Sequence, residues 1–199
     1  MTIVNDEMIR ESVQRFLDFL LQQNRQLNLV SRRITPAQLQ ALADETLRLA
    51  PLISGNRVVD AGSGNGLLGI VLALFFPMRT FILLESIEKK ARFLRLAVSQ
   101  MELRNTEVCR ERLENFRFPA PGAENTLVAR GFPSLSGLVE PLLRGKVREV
   151  VCITSLKKIE KLEFPLEKTT HSIYNIPSRD VIKILKMENV SRETINPDG

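Results

Sequence analysis

The stretch VVDAGSGNGLLGIVLALFFP, from Val58 to Pro77, places one aspartate and four glycines between a β-branched apolar run and an almost wholly apolar run. Glycine is costly inside a helix or a strand, so a cluster of glycines indicates a turn with positive φ or a backbone that approaches a ligand closely. Asp60, the acid that precedes the turn, bears on which ligand that is.

Two ligand-binding patterns overlap in this turn. Gly64–Gly69 satisfies G-x-G-x-x-G, the fingerprint of dinucleotide binding. Asp60–Gly66 satisfies D-x-G-x-G-x-G, the loop of methyltransferases that use S-adenosylmethionine. The pyrophosphate of a dinucleotide needs positive potential at the helix N-terminus, which an aspartate just before the turn opposes. S-adenosylmethionine instead carries a sulfonium and an ammonium group, both cationic. Asp60 is predicted to assist that ammonium group, directly or through water, so the acid favours the second pattern.

A second acid supports the same interpretation. Glu85 ends the strand-like run FILLE, where both cofactor families place an acid that accepts hydrogen bonds from the ribose hydroxyls. The alternating glycines, Asp60 and Glu85 together favour the methyl donor. A glycine turn without any ligand and a nicotinamide oxidoreductase are the alternatives.

Short apolar runs alternate with helix-like segments from Arg57 onward. The strand-like runs are RVVDA, TFILLE, NTEVCR, NTLVAR and EVVCITS. This alternation predicts an α/β fold with a mostly parallel sheet and right-handed crossovers. THSIYNIP and SRDVIKILKME, separated by a short proline-containing turn, predict a C-terminal antiparallel hairpin. Two helices are predicted in front of the sheet. The first is indicated by apolar residues at helical spacing between Ile9 and Leu20, and the second by Pro36, a favoured first-turn residue.

The bulk composition is that of a globular protein. The chain has 199 residues, 44% hydrophobic and 26% charged, which suits one domain with a buried core. Its net charge of +5 agrees with an anionic partner without requiring one. Cys109 and Cys152 form no C-x-x-C pair and predict reduced, buried thiols. The first residues resemble no signal peptide, and the longest apolar run is too short to cross a bilayer, so a cytoplasmic location is expected.

Further segments flank the glycine turn: NRQLNLVSRR before it, and LLESIEKKARFLRLAV, CRERLENF and ARGFPSLSGL after it. In order and spacing they resemble YNLTAIRD, LLDSxxKRxxFL, xGRAEEF and SRAFASLxxL of the bacterial 16S ribosomal RNA 7-methylguanosine methyltransferases, also called glucose-inhibited division protein B. The glycine turn is similar to that family's DVGSGxGxPGIPLAI. The similarity covers about Arg25 to about Leu185.

The resemblance implies a Rossmann-like class I methyltransferase fold that binds S-adenosyl-L-methionine and methylates N7 of a guanine in 16S ribosomal RNA. By position it implies cofactor contacts from Gly62, Leu67, Leu113, Glu114 and Arg130, with Glu85 at the ribose. The residues of the turn itself add Asp60 and Gly64 to the predicted cofactor site. No catalytic residue is assigned.

The chain departs from the family pattern at several positions. Leu68 replaces a proline, Gly131 and Pro133 interrupt RAFAS, Lys158 replaces the glycine of LKG, and Glu45 or Thr46 stands where the family has a histidine. These departures leave two alternatives open. One is a cofactor-binding paralogue without methylation activity that acts as a ribosome-associated or regulatory module. The other is a methyltransferase of the same fold with a small-molecule substrate.

Other methylation targets require motifs that the sequence lacks. It contains no Asn/Asp-Pro-Pro-Tyr/Phe for gripping an exocyclic amine and no Pro-Cys for attack on cytosine C5. Guanine N7 needs neither, because its lone pair carries no proton at neutral pH. RNA would be held through its phosphates, for which Arg32, Arg33 and Lys157 are the predicted ligands. Phe132 is predicted to stack on a splayed base.

We expect three parts along the chain: an N-terminal helical extension at residues 1–54, a methyltransferase domain at 55–190 and a tail at 191–199. The expected partner is 16S ribosomal RNA or the small ribosomal subunit, and the chain is expected to be a monomer. No membrane is expected, and no metal either, since the sequence has no clustered Cys/His/Asp set.

Overall fold

A mostly parallel β-sheet forms the centre of the computed structural model, which describes residues 6–155, 157, 169–176 and 179–186. Its strands are β1 (Arg57–Ala61), β2 (Thr80–Leu84), β3 (Thr106–Cys109), β4 (Asn125–Arg130), β5 (Glu149–Thr154), β6 (Thr169–Ile176) and β7 (Arg179–Lys186). Its α-helices are α1 (Asp6–Leu27), α2 (Pro36–Leu47), α3 (Gly69–Phe75), α4 (Glu88–Gln100) and α5 (Leu135–Leu143).

The strand order in the sheet is β3-β2-β1-β4-β5-β7-β6. Strands β1 to β5 pair in parallel, and β7 pairs antiparallel with both β5 and β6. Both the predicted parallel sheet and the predicted terminal hairpin are therefore confirmed. Every residue of β5 is buried, as expected for a parallel strand with both faces covered.

Helices cover the two faces of the sheet unequally. Helix α1 buries Val13, Phe16 and Leu20 in one cluster with residues of α2, α3 and α4, such as Phe93. Helix α5 packs on the opposite face, in a cluster that includes Leu138. The N-terminal helices thus share a hydrophobic core with the sheet. The expected domain boundary after residue 54 stays a prediction.

Helix α2 begins where the sequence predicts it. Thr35 is the N-cap: its Oγ1 accepts from the backbone N–H of Gln38, whose Oε1 accepts from the N–H of Thr35. Pro36 occupies the first turn, where its missing N–H is not needed. This capping box fixes the residue at which α2 starts.

A buried ion pair closes the amino edge of the sheet. The carboxylate of Glu149 is fully buried and accepts hydrogen bonds from Ser54 N–H and Oγ, from Thr126 Oγ1 and from Lys183 Nζ, at 2.6–2.8 Å. Lys183 Nζ also donates to the carbonyl of Leu52 at 2.8 Å. These contacts connect β4, β5 and β7 to the segment that precedes β1.

The alternation of strands and helices predicts a helix between β4 and β5, but local propensity does not support helix α5. Its nine residues include Gly137 and Pro141, both of which argue against a helix. The helix forms because Ser134 caps its start, accepting from Gly137 N–H at 3.1 Å, and because its apolar face packs on the sheet. Tertiary packing overrides the local propensity here.

The expectation of two buried thiols is wrong for one cysteine. Cys152 lies in the central strand β5 and is buried, whereas Cys109 is only half-buried. Cys109 ends β3, the outermost strand on its side of the sheet, so fewer neighbours cover it.

The predicted tail at residues 191–199 and the departure at Lys158 lie outside the described residues. Among the helices that are described, none has both the length and the apolar character needed to cross a bilayer.

Candidate active site

The sheet reverses its direction of growth between β1 and β4. Strands β2 and β3 extend from one side of β1, and β4 and β5 extend from the other. Ligands of open α/β sheets bind in the crevice outside the carboxyl ends of the strands at such a switch point. The two strands carry Asp60 and Arg130, respectively, at or next to those ends.

The glycine turn follows β1 directly and leaves its backbone open. Gly62 and Gly64 have φ values of +71° and +55°, in the left-handed region that side chains disfavour. Within 4 Å, a β-carbon built on Gly64 would contact only the carbonyl oxygen of Gly62, at 3.7 Å. Ser63 N–H donates to the carbonyl of Leu84 at 2.9 Å and so ties the turn to the end of β2. The turn therefore presents main-chain groups that a ligand can approach closely.

The ring of Phe132 lies over the first glycine. A β-carbon built on Gly62 would lie 3.4 Å from Cδ2 and 3.6 Å from Cε2 of this ring. Phe132 is half-buried and packs against the cluster beneath α5. The residue predicted to stack on a base is thus adjacent to the predicted cofactor turn.

Asp60 lies beneath the turn. Its side chain is almost fully buried, and its Oδ2 accepts from the N–H of Gly69, the first residue of α3, at 3.0 Å. Burial raises the pKa of Asp60 to about 7, and the hydrogen bond from Gly69 and the charge of Arg130 oppose that rise. Asp60 therefore anchors the start of α3. Its predicted assistance to the ammonium group of the methyl donor stays a prediction.

Glu85 connects the turn to the end of β2. Its Oε2 accepts from Gly64 N–H at 3.0 Å, and its Oε1 accepts from Ile87 N–H at 2.7 Å. A carboxylate has about four acceptor sites, so both oxygens retain capacity for hydroxyl donors. An acid held this way suits the ribose hydroxyls of S-adenosylmethionine. The open glycine backbone and this acid are the features that fit the methyl donor.

The remaining predicted cofactor residues differ in exposure. Leu67 and Leu113 have buried side chains that belong to two different hydrophobic clusters. Leu113 begins the first 3-10 turn after β3, Leu113–Asn115, and its neighbour Glu114 is exposed. Contacts of these residues with a cofactor stay predictions.

Arg130 contacts the N-terminal helices. Its Nη2 donates to Thr46 Oγ1 at 2.9 Å and to the carbonyl of Leu42 at 3.1 Å. Both partners lie on α2, and Thr46 is fully buried. Sequence reasoning missed this role of Thr46 and noted the position only as a departure from the family pattern. The departure from the family pattern at Thr46 was the one feature of the sequence that could have pointed to this contact with Arg130.

The predicted RNA contacts lie on the surface. Arg32 and Arg33 are exposed in the loop between α1 and α2, and Arg32 Nε donates to Asn28 Oδ1 at 2.9 Å. Arg33 lines a groove of about 490 Å³ together with Leu42, whose carbonyl accepts from Arg130. Lys157, beyond the end of β5, is also exposed.

In the described part of the chain, no group of three or more His, Cys, Asp or Glu side chains could hold a metal ion.

Comparison with known proteins identifies related sequences. A family model described as GidB, rRNA small subunit methyltransferase G, matches residues 9–191. A protein named Ribosomal RNA small subunit methyltransferase G from Syntrophomonas wolfei is 39% identical over 105 residues, which are 52% of this chain and 49% of that protein. The protein of the same name from Vibrio vulnificus is 32% identical over 135 residues, which are 68% of this chain and 63% of that protein. The chain thus matches from about half to just under two-thirds of the length of these relatives.

Solved structures share the fold at lower sequence identity. The crystal structure of the 23S rRNA methyltransferase ErmE superposes with a TM-score of 0.56 and 18% identity, over 74% of this chain and 68% of that chain. The predicted Rossmann-like class I methyltransferase fold is confirmed.

Proposed function

The chain belongs to the GidB family, rRNA small subunit methyltransferase G, and on this premise we propose that it transfers a methyl group from S-adenosylmethionine to N7 of a guanine in 16S ribosomal RNA. The observation that carries the proposal is the glycine turn at the switch point of the sheet. There the backbone of Gly64 is held by Glu85 while the turn stays open above.

The chain offers separate groups for separate parts of the methyl donor. Glu85 is suited to the ribose hydroxyls, and the main chain at Gly64 allows close approach of the remainder beside the Phe132 ring that lies over Gly62. Arg130 ends β4 at the same switch point, where its guanidinium is held by Thr46 and Leu42 of α2. When bound, S-adenosylmethionine supplies a methyl group carried on a positively charged sulfur.

The proposed target demands little acid–base chemistry from the protein. Guanine N7 has an in-plane lone pair and no proton at neutral pH, so no general base is needed. Catalysis then consists mainly of bringing the base to the methyl donor in the correct orientation. Phe132, next to Gly62, is suited to orient a flat base there.

The RNA is proposed to bind through its phosphates to exposed basic residues. Arg32 and Arg33 lie in the loop that leads into α2, and each lines one of two surface grooves that share Ser31 and Ile34. Lys157 is a further candidate. The cytoplasmic location and the monomeric state stay predictions.

Labelling tests the proposal. The protein is incubated with S-adenosylmethionine carrying a tritiated methyl group and either 30S subunits or naked 16S RNA, and the labelled nucleoside is identified after digestion. We expect label in 7-methylguanosine and none in other nucleosides. Calorimetry with S-adenosylmethionine and with NAD runs in parallel. Cofactor binding without any labelled RNA would favour the binding-module alternative, and binding of NAD alone would overturn the cofactor assignment.

A further inference from the structure

Thr154, the last residue of β5, carries a buried side-chain hydroxyl. The residue is only 5% exposed. Its Oγ1 has no hydrogen-bond partner within the described part of the chain. A buried hydroxyl without a partner costs free energy, so in a native protein it calls for a specific explanation. The position of Thr154 in the sheet indicates a ligand.

Thr154 lies at the edge of the sheet where ligands of this fold bind. Strand β5 pairs in parallel with β4, one of the two strands of the switch point. Arg130 pairs with Ile153, and the N–H of Gly131 donates to the carbonyl of Ile153 at 3.0 Å. Thr154 is therefore a neighbour of Gly131, one residue beyond the last pair, at the carboxyl ends of both strands.

The hydroxyl lies on the same side of the sheet as Phe132. Side chains alternate along a strand, and Val150 and Cys152 of β5 belong to the cluster beneath α5. Thr154, two residues after Cys152, faces the same way. Phe132 packs against that cluster, and its ring lies over Gly62. The ring therefore connects the glycine turn to the side of the sheet on which the hydroxyl lies.

The main chain next to Thr154 is open. Gly131 has a φ of +64°, and none of the described atoms lies within 4 Å of a β-carbon built on it. Gly131 is also one of the departures from the family pattern. An open backbone, the flat ring of Phe132 and a hydroxyl that lacks a partner are together suited to a planar base with a polar edge.

Guanine presents a hydrogen-bond acceptor next to the atom that is methylated. Its O6 is adjacent to N7 on the same edge of the base. A threonine hydroxyl has one proton to donate. A donor at O6 therefore positions the base and leaves N7 uncovered for the methyl donor.

We propose that Thr154 donates a hydrogen bond to O6 of the target guanine and so positions N7 beside the methyl donor, with the ring of Phe132 against the base. The inference rests on the proposed function and adds to it a residue that contacts the substrate.

Thr154→Val tests the proposal with two measurements that should move in opposite directions. Valine keeps the β-branched shape and removes the hydroxyl. Because Oγ1 lacks a partner among the described residues, its replacement by a methyl group should raise the urea midpoint of the free protein. The same variant should lower kcat/KM for methylation by about fivefold, as expected for the loss of one neutral hydrogen bond.

Thr126→Val is the matched control, because it makes the same change in the neighbouring strand β4. Thr126 is also buried, but its Oγ1 donates to Glu149 at 2.7 Å and accepts from the N–H of Gly55 at 3.0 Å, at the amino edge of the sheet. We expect a lower urea midpoint and unchanged kcat/KM for this variant under conditions in which it is folded. Thr154→Ser keeps the hydroxyl and should keep most of the activity.

Replacing the target guanosine by 2-aminopurine riboside locates the contact. This base keeps N7 and the 2-amino group and lacks O6. A synthetic RNA carries one base or the other at the position that becomes labelled in the experiment above. We expect the ratio of kcat/KM for guanosine to that for 2-aminopurine to be about fivefold smaller in Thr154→Val than in the unmodified protein. Thr126→Val should leave this ratio unchanged.

The possible failures have different meanings. If the unmodified protein labels no guanine, the proposed function fails and the role of Thr154 fails with it. If the unmodified protein labels guanine but Thr154→Val keeps the same ratio between the two bases, the proposed function stands and the contact with O6 is overturned. A urea midpoint that falls in Thr154→Val as it does in Thr126→Val would mean that the hydroxyl is bonded within the free protein, and this result would also overturn the proposal.

Discussion

The guanidinium of Arg130 donates to the hydroxyl of Thr46 at 2.9 Å, across 84 positions of sequence. One residue ends a central strand of the sheet, and the other lies in the last turn of α2. The contact joins the N-terminal helices to the crevice in which the cofactor is proposed to bind. A disturbance of α2 should therefore reach the cofactor site through Arg130.

Thr46→Val tests that connection. Valine keeps the shape of threonine and removes the hydroxyl, so Arg130 loses this acceptor and keeps the carbonyl of Leu42. We expect S-adenosylmethionine to bind about 1 kcal/mol more weakly, roughly fivefold in Kd, by calorimetry. Thr46→Ser keeps the hydroxyl and should restore most of the affinity. Equal affinity in the valine and serine variants would contradict the role given to this contact.

Gly62→Ala should weaken cofactor binding by more than tenfold. The new methyl group would occupy the surface proposed to receive the cofactor, in van der Waals contact with Phe132 at 3.4 Å, and alanine at φ +71° is strained by about 1–2 kcal/mol. Gly145→Ala is the control, because Gly145 has φ +67° and nothing within 4 Å of an added β-carbon. We expect similar losses of stability but unchanged cofactor affinity for Gly145→Ala. A similar loss of affinity in both variants would mean that strain, not the ligand surface, is being measured.

Asp60→Asn should change how stability depends on pH. Burial raises the pKa of Asp60 from 3.8 to about 7 in the folded protein. Between these values the folded state holds a proton that the unfolded state has lost, so the unfolding free energy falls as pH rises from about 4 to about 7. Urea unfolding at pH 5 and pH 8 measures this effect.

The asparagine variant lacks that dependence. We expect its stability relative to the unmodified protein to improve by more than about 1 kcal/mol between pH 5 and pH 8. A constant difference between the two proteins across this interval would refute the raised pKa.

The buried pair of Glu149 and Lys183 should govern stability and not cofactor binding, because it lies at the amino edge of the sheet, away from the crevice. Lys183→Met leaves the carboxylate of Glu149 buried without its cation, which costs about 3–5 kcal/mol. Adding Glu149→Gln to this variant should recover part of the loss. Urea unfolding of Lys183→Met and of the double variant measures these losses of stability. If Lys183→Met alone is as stable as the unmodified protein, the expectation is contradicted.

The same pair predicts the response to acid. Burial tends to raise the pKa of Glu149, but hydrogen bonds from Lys183, Ser54 and Thr126 outweigh it and hold the pKa below the usual 4.5. The stabilisation is therefore present above pH 4.5 and is lost as pH falls below that value.

Arg33→Ala and Arg32→Ala should each weaken RNA binding and reduce the slope of log K against log salt by about 1, if each contacts one phosphate. Arg104→Ala is the control, since Arg104 is equally exposed but precedes β3 at the amino edge of the sheet. Filter binding at several salt concentrations measures the slopes. Identical slopes for all variants would remove these arginines from the RNA surface.

Much of the fold can be predicted from the sequence because it depends on residues that are neighbours in the chain. The apolar runs of β1, β2 and β5 predict buried parallel strands, and Thr35 and Pro36 mark the start of α2. Helix α5 cannot be predicted in this way from the helix propensity of its own residues. Its glycine and proline lower local helix propensity, and only packing against the sheet compensates for them.

The sequence by itself determined the α/β architecture, the glycine turn and the acids at the ends of β1 and β2, because hydrophobic period, turn residues and strand ends are properties of neighbouring residues. Only the tertiary structure decided that Asp60 lies beneath the turn, that Phe132 covers Gly62, and that α2 supplies the partners of Arg130. Those relationships join residues far apart in the chain. They depend on how the N-terminal helices pack against the sheet, which no local pattern specifies.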